Sequence, residues 1–238
     1  MTRAIFYACW AAVLLWLGGC RADKNYQAAF TPVAPRIDGA ADPLWQSARL
    51  ESIANVIYKD ELRQDAKDLS ARYRALWDSS ALYLLVEVFD NVKFAAAVPA
   101  EEAERSMWAS HDYDGIDIIL RRSSSQRSSY RWNYQSDSLL SSPGAGRADF
   151  KYRDTPQGYV LEAKLPLQAL GGPWSGPVGF EILVADNDLP PQADLYGGRE
   201  STLAWASRHP MLPESPVAPS DAPNHASGRL VLATPTTR

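Results

Sequence analysis

Apolar positions along this chain fall into short runs with a period of two, separated by turn residues. Residues 71–78 (ARYRALWD) set Tyr73, Ala75 and Trp77 on one side, the spacing of a half-buried strand. Asp78-Ser79-Ser80 supplies a turn, and residues 82–89 (LYLLVEVF) follow as a nearly continuous apolar run. Together they predict a hairpin whose second strand is buried. Further strands are predicted over 116–120, 129–135, 149–152, 159–165, 178–185 and 229–232. Gly158 and Gly179 stand at the entries of two of these and suit turn backbone of unusual dihedrals. Helical signals are few and short. Residues 41–48 (ADPLWQSA) offer Asp42 as a cap and Pro43 for the first turn. Residues 99–108 (PAEEAERSMW) have the length for two or three turns, with acids at the start, where the helix dipole favours them. Many short strands, with no βαβ alternation and no internal repeat, predict one all-β domain, an antiparallel β-sandwich with one or two short helices.

The beginning of the chain follows a different pattern. Behind Arg3, residues 5–17 are almost unbroken apolar sequence. That is shorter than the roughly 20 residues needed to span a bilayer and fits the apolar region of a signal peptide. Leu17-Gly18-Gly19-Cys20 closes it and resembles the lipobox of bacterial lipoproteins, in which the cysteine is acylated and becomes the first residue. The resemblance implies a signal peptide over 1–19 and a lipid anchor on Cys20. Acyl chains contribute about 0.8 kcal/mol per buried methylene, so several of them hold firmly. Arg21, not aspartate, follows the cysteine; by resemblance to Gram-negative sorting this implies the outer membrane in preference to the inner one. Residues 20–35, with Pro32 and Pro35 and no sustained period, read as a lipidated tether. The sandwich is expected over 36–233 and a tail over 234–238. Inside it, residues 121–129 (RRSSSQRSS) read as a polar hairpin loop, and 209–223, with five prolines, as an extended wrap.

Composition narrows the function. Of 238 residues, 46% are hydrophobic and 22% charged, which excludes a disordered or collagen-like chain. The net charge of −4 and the lack of a long basic run argue against a nucleic-acid partner, since phosphate rewards a concentrated cationic face. The two cysteines, Cys9 and Cys20, both lie in the leader region and build neither a disulfide framework nor a four-thiolate zinc site. Eight tryptophans and eleven tyrosines suit a core or a sugar-binding face. Catalysis is not expected. No pair of carboxylates stands out for glycoside hydrolysis, and His111, His209 and His225 accompany no G-x-S-x-G elbow. Asp186-Asn187-Asp188 after a strand offers oxygen ligands suited to calcium, although turns often carry such residues; no cofactor is required by any motif, and no metal ligand set is assigned.

Five segments, in order, then carry a family resemblance. They are Arg36-Ile37-Asp38-Gly39 with Asp42-Pro43-Leu44-Trp45; Ala75-Leu76-Trp77-Asp78 with the run from Leu82 to Asp90; Gly158-Tyr159-Val160-Leu161-Glu162-Ala163-Lys164-Leu165-Pro166; Val178-Gly179-Phe180-Glu181-Ile182 with Asp186-Asn187-Asp188; and Leu203-Ala204-Trp205 with Gly228-Arg229-Leu230-Val231-Leu232. The chain resembles carbohydrate-binding module family 9 over roughly 36–232, which implies a β-sandwich of a jelly-roll or DOMON-like type. Sugar-binding members carry a W-x-x-D-x-x-E pattern, matched here by His111, Asp114 and Asp117, with Trp108 three residues earlier. An F-R-V-N-Y strand of the family matches Tyr130-Arg131-Trp132-Asn133-Tyr134. The resemblance therefore implies a carbohydrate site at Trp108, His111, Asp117 and Arg131. Residues 210–227 contain no tryptophan, tyrosine or phenylalanine, so a second platform is missing there. Trp45, Trp77 and Trp205 fall in framework motifs and are expected in the core, and Trp132 should face away from Arg131. The expected function is a membrane-anchored carbohydrate-binding lipoprotein holding a polysaccharide or glycoconjugate at the cell envelope. Two alternatives stand beside it: an envelope lipoprotein that keeps the sandwich but has lost the sugar site, for a structural or protein-binding role, and a DOMON-like haem domain in which Met107 or His111 would ligate with a partner elsewhere, since neighbours on one helix cannot oppose each other across the iron.

Overall fold

Strict alternation of apolar side chains decides which way each strand faces. The computed structural model describes residues 24–59, 68–93, 114–123, 126–137, 139–168, 176–188, 201–208 and 228–234. These contain strands β1 (Asn25–Phe30), β2 (Glu51–Ile53), β3 (Asn55–Lys59), β4 (Leu69–Trp77), β5 (Ala81–Asp90), β6 (Gly115–Arg121) and β7 (Arg127–Asn133). They continue with β8 (Leu140–Ser141), β9 (Asp149–Thr155), β10 (Gly158–Pro166), β11 (Val178–Asp186), β12 (Ser201–Ala204) and β13 (Gly228–Leu232). One layer runs β8-β7-β6-β11-β13-β1 and the other β1-β4-β5-β10-β9, so β1 belongs to both. The inner faces meet in one core, where Leu84 and Val86 of β5 and Leu161 of β10 pack with Ile118 of β6 and Ile182 of β11. Aromatic pairs cross it, Trp132 to Tyr159 at 5.4 Å and Tyr73 to Phe180 at 5.7 Å between ring centres.

The predicted strands are all present, each within about two residues of its expected bounds at most ends. Two expectations need correction. Residues 25–30, read as part of a tether, form β1. This strand pairs in parallel with β13 through Asn25–Ala28 and with β4 through Ala29 and Phe30, so the sandwich is mixed, not purely antiparallel. Its pattern escaped notice because only Tyr26 and Ala28 are inward and fully buried, too few for a period. Tyr26 also stitches the seam. Its hydroxyl donates to the Arg49 carbonyl at 2.6 Å and accepts the Ala75 N–H at 2.9 Å, in the gap on β4 between its β2 and β1 pairings. The second correction concerns Gly179, which lies inside β11 in ordinary strand backbone. Gly158 does have a φ of +145°, and a Cβ there would lie 2.1 Å from the Val88 carbonyl oxygen.

Of the expected helices, 99–108 falls outside the described residues. The other is a 3-10 turn, Pro43–Ser47, whose N-cap Asp42 accepts the Leu44 N–H at 2.7 Å. It belongs to a segment folded over the outer face of the β4-β5-β10 layer, where Trp45 and Ala48 pack on Leu76, Ala81, Tyr83 and Leu85. Glu162 holds this segment down. It points outward from β10 yet is 0% exposed, and its carboxylate takes the N–H groups of Asp38 and Gly39 and the indole N–H of Trp45, each at 2.8 Å. Glu162→Ala strands those three buried donors, which costs about 3–5 kcal/mol. Urea unfolding should show a lower midpoint at unchanged slope, with a smaller loss for Glu162→Gln, which keeps an acceptor.

Candidate functional site

The outer face of the other layer carries the polar residues expected to bind. On β7, Ser128, Tyr130 and Trp132 point into the core, so Arg127, Ser129, Arg131 and Asn133 point out. On β6, Ile116, Ile118 and Leu120 are core and Asp117 points out. Asp117 and Arg131 are direct cross-strand partners. Arg131 Nε donates to Asp117 Oδ1 at 2.7 Å and its terminal nitrogen to Oδ2 at 3.0 Å, the parallel fork a guanidinium makes with a carboxylate. The side chains are 21% and 14% exposed, so the pair is largely desolvated but reachable. Beside it, on the same face, Ile119 and Leu183 are buried in a small apolar cluster with Ile57 and Ala204.

The structure thus brings together two of the four expected carbohydrate-site residues, Asp117 and Arg131. Trp108 and His111 lie outside the described residues, as do Cys20, where lipidation was expected, Met107 and the segment 210–227. Trp45 and Trp205 are buried, and Trp77 is half-buried against Phe30 and the core; Trp132 faces inward, opposite Arg131. Asp114 is structural: fully buried, it takes the Asn187 N–H at 2.8 Å and ties the start of β6 to the end of β11. Asn133 was not singled out from the sequence. It sits two positions after Arg131 on the same face and opposite Gly115, where a Cβ would lie 3.2 Å from its Oδ1. The period of two that set Arg131 outward already placed it there.

A second cluster occupies one end of the sandwich. Asp90 ends β5 and Asp186 ends β11, each at an inward position just past its strand's apolar run. With Asp188 they offer carboxylate oxygens all within 4.8 Å of one another. Asp90 is only 6% exposed; one oxygen takes the Val92 N–H at 2.9 Å, and among the described residues Oδ2 has no hydrogen-bond partner. Burial first, then the charges of Asp188 and Asp68, push its carboxyl up to about 7. Tyr159 is fully buried within the field of Asp114, Asp90 and Asp186, and among the described residues its hydroxyl has no hydrogen-bond partner. Calcium–oxygen bonds of about 2.3–2.6 Å let one ion touch three oxygens at this spacing, so the donor set fits the calcium that the Asp186-Asn187-Asp188 turn suggested. The ligands differ in one respect: Asp90 joins Asp186 and Asp188, while the Asn187 N–H goes to Asp114. The missed signal was an acid at a core-facing register position, as in Leu84-x-Val86-x-Val88-x-Asp90.

Comparison with known proteins bears on the family and the fold. The family model described as "Carbohydrate family 9 binding domain-like" matches residues 37–209. An endo-1,4-beta-xylanase C of Paenibacillus barcinonensis is 28% identical over 180 residues, 72% of this chain and 15% of that enzyme. An endo-1,4-beta-xylanase A of Thermotoga neapolitana is 24% identical over 181 residues, again 72% of this chain and 15% of the enzyme. The match therefore spans only a small part of these relatives. Among solved structures, a carbohydrate binding module family 9 from Caldicellulosiruptor kristjanssonii in complex with cellotriose superposes with a TM-score of 0.61 at 22% identity, covering 90% of this chain and 100% of that one. Its complex with glucose gives a TM-score of 0.62. What is shared at this identity is the fold.

The Asp90 cluster generates a prediction. Calcium at about 100 times its dissociation constant stabilises by about 2.7 kcal/mol, which for a domain of this size raises the melting temperature by about 5–10 °C. Differential scanning calorimetry at pH 7.5 with calcium, against the same protein in chelator, should show that rise. In chelator, a raised native carboxyl means that the folded state holds the extra proton, so stability should fall as pH climbs from about 4 towards 7. Asp90→Asn should abolish the calcium effect.

Proposed function

The chain belongs to the carbohydrate family 9 binding domain-like family, and from that premise we propose that it is a non-catalytic carbohydrate-binding lipoprotein of the cell envelope. Its task is to hold a polysaccharide or glycoconjugate close to the membrane that carries it. The observation that supports this most directly is the Arg131–Asp117 fork on the outer face, with Asn133 beside it. Sugar hydroxyls are recognised by planar groups that both donate and accept in fixed directions, and a guanidinium locked by a carboxylate is such a group before any ligand arrives. Sugar complexes of modules with the same fold add to this reading.

The anchor is proposed from Leu17-Gly18-Gly19-Cys20 and the apolar run before it. Acyl groups on Cys20 tie the domain to a membrane, and Arg21 favours the outer one. The sandwich then works as a tethered receptor, and its affinity is multiplied by being held where the polymer lies.

Two measurements test the two halves separately. A glycan array probed with the wild-type protein and Arg131→Ala should show a defined sugar whose binding the variant weakens on the order of 100-fold. Removing one partner of a largely desolvated pair costs up to about 3 kcal/mol of stability, so the melting temperature of the variant is measured alongside to show that it is folded. A clean negative from a well-folded wild type would move the assignment to a protein partner. For the anchor, Cys20→Ser should eliminate palmitate labelling in cells and release the protein from the membrane fraction.

A further inference from the structure

The outward fork of Arg131 and Asp117 has a counterpart on the other side of the sandwich. Arg72 of β4 and Glu87 of β5 are direct cross-strand partners. Arg72 Nε donates to Glu87 Oε2 at 2.8 Å, and its Nη2 donates to Oε1 at 2.9 Å. Their chain neighbours Ala71, Tyr73, Val86 and Val88 are buried in the core, so both side chains stand on the outer face of the β4-β5-β10 layer. The guanidinium also lies 4.9 Å from the ring centre of Phe89, the next outward residue of β5. Its remaining nitrogen, Nη1, stays outside the fork, and the side chain is 41% exposed against 20% for Glu87.

Strand register then places a hollow beside this group. Phe89 is opposite Gly158 on β10, and Gly158 is opposite Thr155 on β9. Direct partners share a face, and the middle one of these three has no side chain. Its φ of +145°, with the Val88 carbonyl oxygen 2.1 Å from any Cβ, keeps it glycine. The result is a cavity of about 350 Å³, lined by Glu87, Phe89 and Val160 from the sheet and by Thr155, Pro156 and Gln157 from the β9-β10 turn. That turn is pinned. The Thr155 hydroxyl oxygen accepts the Gln157 N–H at 3.3 Å, and the Gln157 carbonyl accepts the Asp90 N–H at 2.9 Å. The segment around Trp45 packs on this face as far as Leu85 and Val160. Beyond it Glu87 and Phe89 are half-buried, and Pro156 and Gln157 are exposed.

We propose that this cavity is a second carbohydrate subsite, taking one uncharged sugar ring of a glycan, with the C–H groups of the ring on Phe89 and Pro156 and its hydroxyls on Arg72 and Glu87. This rests on the carbohydrate-binding reading and adds to it a site on the opposite face. The volume suits one ring, since cavities that hold small molecules begin at about 300 Å³. The chemistry suits a sugar, because a flat apolar surface stands beside groups that donate and accept in fixed directions. A guanidinium and a carboxylate that neutralise each other select neither an anion nor a cation, as each repels what the other attracts. A peptide cannot add here as a strand, because β5 and β10 are already paired on both sides. The layers pack about 10 Å apart and the two forks face opposite ways. One domain therefore holds two glycan segments at once, and a polymer gains the affinity of two linked sites.

The test is a nuclear magnetic resonance titration of the full chain with cellotriose, with xylotriose and with the strongest sugar from the glycan array, following backbone amide shifts. Sugar should move the amides of Phe89, Gln157 and Gly158 as well as those around Arg131. Phe89→Ala should weaken the first set by about tenfold and leave the second unchanged, and Arg131→Ala should do the reverse. Phe89→Leu keeps an apolar side chain and removes the flat face, so it should lose about threefold to tenfold at the cavity alone, even if Phe89→Ala melts early. Arg72→Lys keeps the charge and gives up the planar fork, and should lose about tenfold there. Shifts around Arg131 only, unmoved by the Phe89 variants, would overturn the second subsite and leave the glycan reading standing. Shifts at the cavity only would support this subsite and remove Arg131 from the glycan reading. No shift at either place with any of the three sugars would overturn both.

Discussion

One buried carboxylate holds the layers of this protein to its covering segment. Glu162 lies on the outward face of β10, where a charge would ordinarily meet water, but residues around Asp38, Gly39 and Trp45 close over it. A carboxylate taken out of water is tolerated only when strong donors replace its hydration. Three N–H groups do so here, and one of them belongs to the tryptophan that seals the site. The acid and its cover are therefore mutually dependent. Without Trp45 the charge would lose a donor and its apolar roof, and without Glu162 the backbone of the 38–39 turn would be buried unsatisfied.

Part of the outer face of one layer is committed to this segment, and the outer face of the other carries the Asp117–Arg131 pair. The same physics recurs there in weaker form. Asp117 and Arg131 satisfy each other across two strands while keeping an edge towards solvent, so they are oriented in advance. The Asp90, Asp186 and Asp188 group is the contrasting case. Strand register aims carboxylates at one another where burial disfavours charge, and oxygen-binding cations remove such a cost. These acidic sites thus differ in what surrounds them: backbone and indole N–H groups at Glu162, a guanidinium at Asp117, and other carboxylates at Asp90.

Much of this was legible beforehand wherever a period of two ran long enough. The β4-β5 hairpin, β10 and β11 announce themselves by their apolar runs. The opposition of Trp132 and Arg131 follows from alternation alone. Asn133 and the inward positions of Asp90 and Asp186 were equally available from that alternation, but an acid at the end of an apolar run reads first as a turn. Strand β1 could not be read, because two buried side chains, Tyr26 and Ala28, make no pattern and because its partners, β13 and β4, are far away in sequence. Short strands such as β2, β3 and β8 were missed for the same reason: their stability comes from neighbours and not from their own residues.

Local sequence by itself determined the all-β class, the hairpins, the capped turn at Asp42 and the side of the sheet each β-residue takes, since these depend on backbone geometry and spacing within a few residues. The tertiary structure alone decided which residues share a site. Pairing register put Gly158 beside Phe89, Asp117 under Arg131, and Asp90 beside Asp186 from strands nearly a hundred residues apart. Register is set by the packing of whole inner faces against one another, a property of the assembled core that no single segment contains.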